Sequence, residues 1–239
     1  MIEKHLMKLR ARDLLGEAEE EAIREAVSEY RDYRSDLTFI EPHRELQHST
    51  LLLEGLICRY KDLKDGQRQV TELHVAGDFA DLHSFTLKRL DHSVMTLTPC
   101  RVAIFPHENL RRITEQYPHL TRLYWFATNL DAAVHREWEV SLGRRSAISR
   151  VAHLFCELEV RLGLVGLVEE DGYSLQLTQT DLAECVGLTS VHVNRTLKEL
   201  REQGLMEFRS SRVRIFDLAG LRRIAEFEPA YLYLERRPR

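Results

Sequence analysis

The spacing of apolar residues divides the chain into three regimes. Residues 3–30 place Leu6, Leu9, Leu14, Ala18, Ala22, Ile23 and Val27 at helical intervals with few breakers, so one helix is expected there. From about 37 to 106 the pattern changes to short apolar runs parted by turns: LTFI, TLLLEGLICRY, RQVTELHV and SVMTLTPCRVAIF. These read as strands. Lys64-Asp65-Gly66-Gln67 supplies a hairpin turn between two of them, and Ala76-Gly77-Asp78 a second turn. Such a series predicts an antiparallel sandwich or roll.

Helical periodicity returns after Pro106. A short helix over 107–116 ends at Tyr117-Pro118. A long one over about 119–142 carries an apolar stripe at Leu120, Leu123, Ala127, Leu130, Val134 and Trp138, in steps of three and four. Leu123, Ala127, Leu130 and Val134 therefore form a candidate homodimer seam. Trp125 and Trp138 are expected to be packing groups. A further helix runs over about 146–162, after the interruption at Gly143-Arg144-Arg145-Ser146. GLVGLVEEDGYSL reads as a linker or short hairpin, and GLMEFRSSRVRIFD as two strands about an Arg-Ser-Ser-Arg turn. The fold class is α+β: an N-terminal roll over 1–118, a long helix and hinge over 119–145, and a C-terminal helical part with a small hairpin over 146–239.

Between these last elements lies TQTDLAECVGLTSVHVNRTLKELREQ, read as helices over 179–186 and 190–202. Ala183 is small where two helices cross. Gly187 stands where the turn requires φ > 0, and Thr189 can cap the second helix. Leu182, Val186, Leu188 and Val193 would hold the pair at a steep angle. Val193, Leu197 and Leu200 share one face of the second helix. The opposite face carries Val191, Arg195, Lys198 and Glu202, flanked by His192 and Asn194. A DNA major groove admits one helix, and its base edges suit these groups: Arg for guanine, Asn for adenine, a Val methyl for thymine. The hydroxyls of Thr178, Thr189 and Ser190 suit phosphate, and Arg209 and Arg212 would form a basic wing on the backbone.

Composition narrows the reading without redirecting it. The 239 residues carry a net charge of −4, unlike a uniformly basic non-specific nucleic-acid binder. Residues 142–239 hold 15 Lys+Arg and 14 Asp+Glu, against 19 and 24 in residues 1–141, so the helix-pair half is the less acidic. No apolar run is long enough for a bilayer and no signal segment is evident, which predicts a cytoplasmic protein without membrane contact. Cys58, Cys100, Cys156 and Cys185 are scattered, without CxxC spacing, and are expected to be buried thiols. No P-loop, nucleophile elbow or HExxH motif is present, so no enzymatic activity is expected.

The chain resembles the Crp/Fnr superfamily of bacterial transcription regulators over nearly its whole length. EGLICRYKDLKDGQRQVTELHVAGDFADLHSF resembles the family's β-roll with its Gly-Asp-Phe segment, and LTQTDLAECVGLTSVHVNRTLKELREQGLMEF its DNA-binding signature. The resemblance implies a cyclic-nucleotide-binding-like roll, a winged helix-turn-helix, a homodimer on two-fold related double-stranded DNA, and RNA polymerase as a partner. Arg195 matches the family's groove-facing Arg. Val191 stands where many members have a Glu that reads a G·C pair, and Thr196 replaces a larger aliphatic.

The ligand positions also depart. Cyclic-nucleotide binders carry Gly-Glu after Gly-Asp-Phe and Arg-Ser a little later; here Asp81-Leu82 and His92-Ser93 stand there. Leu82 cannot accept a ribose hydroxyl, His92 lacks the guanidinium fork, and Asp81 would repel a phosphate. The candidate effector pocket is Asp81, Leu82, His83, Arg89, His92 and Ser93, its small-molecule ligand unidentified and cAMP not expected. No Cys precedes Cys58, which argues against an iron–sulfur cluster. The roll's histidines lack tight ligand spacing, so neither metal nor haem is expected. The competing reading is a ligand-binding roll protein without specific DNA binding.

Overall fold

The computed structural model describes residues 1–239. The N-terminal segment is not one helix. It forms α1 (Glu3–Arg10) and α2 (Glu17–Glu25), parted by a loop that ends at Gly16, and then strand β1 (Glu29–Tyr33). Helical spacing continued across the gap, but Asp13 turns its carboxylate onto the Leu14 amide, and Glu19 reaches back to the Gly16 amide to begin a new helix. The charged strand EYRDY pairs with only one neighbour, at the edge of its sheet, and carries no apolar alternation that would mark it.

Two sheets build the roll. In the first, β1 and β3 (His48–Glu54) flank β7 (Cys100–Pro106). In the second the order is β2 (Leu37–Ile40), β6 (Ser93–Thr96), β4 (Ile57–Asp62), β5 (Arg68–His74), all antiparallel. TLLLEGLICRY is thus split at Gly55-Leu56 into β3 and β4, and SVMTLTPCRVAIF at Leu97–Pro99 into β6 and β7. A short helix, α3 (Ser84–Leu87), follows the Gly-Asp-Phe turn.

Helix α4 (His107–Gln116) leads into α5 (Pro118–Arg144), whose 27 residues span about 40 Å at 1.5 Å per residue. Helix α6 (Ala147–Gly163) begins at an N-cap, where the Ser146 hydroxyl accepts the Ser149 amide. The hairpin β8 (Val168–Glu169) and β9 (Gly172–Ser174) joins the wing sheet with β11 (Arg212–Ile215) and β10 (Met206–Arg209). Gly172 is obligatory there, because a Cβ would lie 1.9 Å from the Val213 carbonyl oxygen. Helices α7 (Gln179–Val186), α8 (Ser190–Glu202) and α9 (Leu218–Ala225) complete the C-terminal part, followed by a 3-10 turn at Pro229–Leu232.

The stripe on α5 points inward. Leu123 and Val134 are buried in their own protomer, at 1% and 3% exposure, in the two cores below the roll. Ala127 and Leu130 border a small cavity beneath α1. Two of the four expected seam residues, Leu123 and Val134, are thus taken up within the protomer, where α5 covers the open side of the roll, whereas Ala127 and Leu130 stay half-buried. Helical spacing marks a buried face without saying which chain buries it. The exposed stripe of α5 is Arg122, Trp125, Asn129, Ala132, Arg136 and Val140, with Trp125 68% exposed.

The roll and the C-terminal part share one core. Cys58, Tyr60, Val70 and Leu73 of the roll pack in the same cluster as Leu182, Val186 and Val193. Buried polar contacts reinforce this junction. The Arg161 guanidinium donates to the Leu73 carbonyl at 2.6 Å, to Asp78 at 3.1 Å and to Glu157 at 2.9 Å. Glu157, fully buried, also accepts from Trp138 on α5 and from Tyr231 at 2.7 Å.

Candidate nucleic-acid interface and effector pocket

Helices α7 and α8 are fixed by their ends. The Thr178 hydroxyl caps α7 by accepting the Asp181 amide, and Asp181 returns the contact to the Thr178 amide at 2.7 Å. Gly187 closes α7 in the left-handed region at φ +60°, and Thr189 caps α8 through the His192 amide. Roll residue Gln69 donates to the carbonyl of Glu184 at 2.8 Å, satisfying an open C-terminal group of α7.

Val193, Leu197 and Leu200 are buried, and so is Thr196, whose hydroxyl donates to the His192 carbonyl at 3.0 Å. Val191, Asn194, Arg195 and Lys198 are exposed on the other side, with Val191 at 81%. Arg195 Nη2 lies 2.9 Å from His192 Nε2, and Asn194 donates to Gln179 Oε1 at 3.1 Å. Lys198 lies 3.6 Å from Glu202, a weak exposed pair. A groove of about 330 Å³ separates α8 from the wing, with Gln179, Asn194, Lys198 and Arg209 on its walls.

The wing departs from its simplest reading. Its tip is Ser210-Ser211, both at positive φ as a two-residue hairpin of this twist requires. Arg209 stands exposed beside the tip. Arg212 instead donates to Glu169 at 2.8 Å and to Asp171 at 2.7 Å, both on the β8–β9 hairpin, and Arg214 lies 3.3 Å from Asp171. Arg212 is thus neutralised by neighbours that the sequence places more than forty residues away.

The effector candidates are dispersed. Asp81 is fully buried and accepts the Thr50 amide, so it is fixed on the β3 side instead of facing a phosphate. Burial pushes its pKa up to about 7, against the Thr50 amide and Arg59, which pull it down. Leu82 borders the cavity beneath α1, Arg89 is exposed and paired through its backbone with Glu45, and Ser93 lies in β6 opposite Tyr60. Only His83 and His92 line the larger cavity, about 390 Å³, between the roll and α5. Its other walls are Arg59, Lys61, Thr71, Asp91, Thr128, Asp131, Ala132 and His135. Arg59 is buried, donating to Glu72 at 2.7 Å and to Asp131 at 2.9 Å. Burial, with Arg59 nearby, lowers the pKa of His135 to about 4 and that of His83 further, so both rings are neutral at pH 7. Sequence reading missed Arg59, Asp131 and His135 because they lie on β4 and α5, Arg59 and Asp131 being 72 residues apart, with no shared motif.

Comparison with known proteins matches both halves. Residues 30–117 match the cyclic nucleotide-binding domain family and residues 149–224 the Crp-like helix-turn-helix domain family. The transcriptional activator protein FnrL of Cereibacter sphaeroides is 26% identical over 211 residues, 86% of this chain and 84% of that protein. The transcriptional activatory protein AadR of Rhodopseudomonas palustris is 31% identical over 171 residues, covering 70% of this chain and 68% of that protein. The structure of FixK2 from Bradyrhizobium japonicum shares the fold with a TM-score of 0.75, at 22% identity, over 82% of this chain and 96% of that one.

Proposed function

Because the chain belongs to the Crp/Fnr family of DNA-binding transcription regulators, we propose that it acts as a homodimer that reads a two-fold related DNA site through α8. RNA polymerase is then its partner in transcription. The effector domain is regulated through the cavity between the roll and α5. The observation that carries this reading is the split character of α8: its apolar face is buried, while Val191, Asn194, Arg195 and Lys198 stand exposed beside a capped, open N-terminus.

The subunits meet through the exposed stripe of α5 about Trp125 and Ala132, since Leu123 and Val134 are buried in their own protomer and Ala127 and Leu130 border a cavity of it. Two α8 helices related by that axis would place half-sites ~34–36 Å apart, one turn of DNA. Selection from random DNA by wild type, Arg195→Ala and Val191→Glu tests the reading. Wild type should recover a palindromic motif, and each variant should alter it. Recovery of one identical motif at one strength by all three proteins would reject α8 as the reader.

A further inference from the structure

The cavity between the roll and α5 carries more information than its location. Three imidazoles border it, His83 after the Gly-Asp-Phe turn, His92 before β6 and His135 on α5. The rings of His83 and His92 lie 5.4 Å apart, centroid to centroid, at 32°. Two imidazoles on one ion, each with its nitrogen ~2.0–2.1 Å from the metal and a tetrahedral angle between them, set their centroids roughly 5 Å apart. The ring pair already has that separation. His92 Nδ1 is engaged by Asp91 Oδ1 at 2.9 Å, while its Nε2 is buried without any partner. A carboxylate behind one ring nitrogen fixes the tautomer and aims the other nitrogen, as in the outer shell of metal-bound histidines.

The charge on the wall is balanced, with Arg59 and Lys61 against Asp91 and Asp131. Arg59 alone serves both Glu72 and Asp131. The neighbouring cations, Lys8 and Arg161, are committed to Asp78 and Glu157. On the wall itself Lys61 is paired with Asp91 at 2.6 Å, so both of its cations, Arg59 and Lys61, are committed to carboxylates and neither is free to draw an anion. Nitrogen donors select zinc, nickel, cobalt or copper over magnesium or calcium.

We propose that this cavity binds one divalent transition-metal ion through His83 and His92. The proposal rests on the reading of the cavity as the effector site. No three donor side chains meet at one point, so water completes the coordination. The site bridges the α3 turn and the start of β6 and faces α5 across the cavity, which places it to couple ion binding to the long helix.

The test uses the metal-free full chain titrated with Co²⁺ and followed by visible absorption, with Zn²⁺ and Ni²⁺ as calorimetric competitors. One ion per chain should bind in wild type and in His43→Ala, whose histidine is exposed elsewhere on the roll. His83→Ala and His92→Ala should each weaken binding at least tenfold. His92→Gln serves where the alanine variant fails to fold. No saturable binding of any of the three ions, or binding unchanged by substitution at both histidines, overturns the proposal. DNA affinity is measured in parallel with and without the ion. Ion binding that leaves DNA affinity unchanged keeps the metal site and overturns the effector reading. Absent ion binding with intact DNA selection overturns the metal site alone.

Discussion

Replacing Arg195 with alanine isolates the step from structure to sequence recognition. Arg195 projects from the exposed face of α8, and its one side-chain contact is to His192 Nε2 at 2.9 Å. A bidentate Arg–guanine pair contributes about 1–3 kcal/mol of discrimination. The His192 contact must be exchanged for the base, which points to the lower half of that range, about 1–2 kcal/mol. A dimer makes the contact twice, for a total of about 2–4 kcal/mol. At 1.4 kcal/mol per tenfold, Arg195→Ala should bind the selected duplex about 30- to 1000-fold more weakly at fixed salt. Binding to a scrambled duplex should change far less, since phosphate contacts supply it. Arg195→Lys keeps the charge without the planar fork and should not recover discrimination. Fluorescence anisotropy with both duplexes measures all of this. Equal losses on selected and scrambled DNA, or full recovery with Lys, would show that Arg195 touches phosphate and not a base.

Four further outcomes follow from individual contacts. Ala132→Glu, on the free stripe of α5, should leave the fold intact and give monomers by sedimentation at micromolar concentration; an unchanged dimer would put the interface elsewhere. Calorimetry with cAMP should show no micromolar binding, because Leu82 and His92 lack the ribose acceptor and phosphate fork. On the wing, Arg209→Ala should lower the salt slope of DNA binding by about one, whereas Arg212→Ala should lower it less, being already paired with Glu169 and Asp171; equal slopes would refute the distinction. Stability should fall on acidification between about pH 6.5 and 4. Burial lowers His5 to about 4, His107 to about 4 and His153 to about 3, so the unfolded chain binds more protons in that window. Asp81, raised to about 7, and Glu72 and Asp131, which burial also raises, act in the opposite direction; His74, His83 and His135, lowered by burial, act with the three histidines and outweigh these carboxyls. A urea midpoint at pH 5 equal to or above that at pH 7.5 would contradict this sign.

The elements that were legible in the sequence are those whose signals are local. The turn at Gly187, the cap at Thr189 and the Val193–Leu197–Leu200 face each depend on residues within one or two helical turns, and the structure places them as their chemistry requires. Residues 3–30 failed as one helix for a related reason. Their apolar spacing stays compatible with a helix across Asp13–Gly16, while the competing hydrogen bonds to the Leu14 and Gly16 amides leave no periodic trace. Strand β1 failed because an edge strand with charges on both faces has no alternation to read.

The effector cavity was illegible because its walls are assembled by topology. His83 and His92 were visible as candidates only through their position after Gly-Asp-Phe. Arg59, Asp131 and His135 acquire meaning when β4 is laid against α5, which burial of Val134 and Leu123 enforces. That same burial explains why the α5 stripe alone did not separate intrachain from intersubunit packing: Leu123 and Val134 are taken up within the protomer, while Ala127 and Leu130 stay half-buried. An apolar helix face needs a partner surface, and a shallow roll supplies one within the chain before any second subunit can. The residues left for the second subunit are then the less apolar ones, Trp125 and Ala132 among Arg122, Asn129 and Arg136. An interface of this composition has few apolar side chains to bury, so one introduced carboxylate at Ala132 should disrupt it more readily than it would a continuous leucine seam. The cavity lies against the same stretch of α5, with Thr128, Asp131 and Ala132 on its wall. On the proposed reading, ligand occupancy and subunit association would act on neighbouring turns of one helix, and that helix leads through Trp138 and Glu157 into α6 and the helix pair α7–α8.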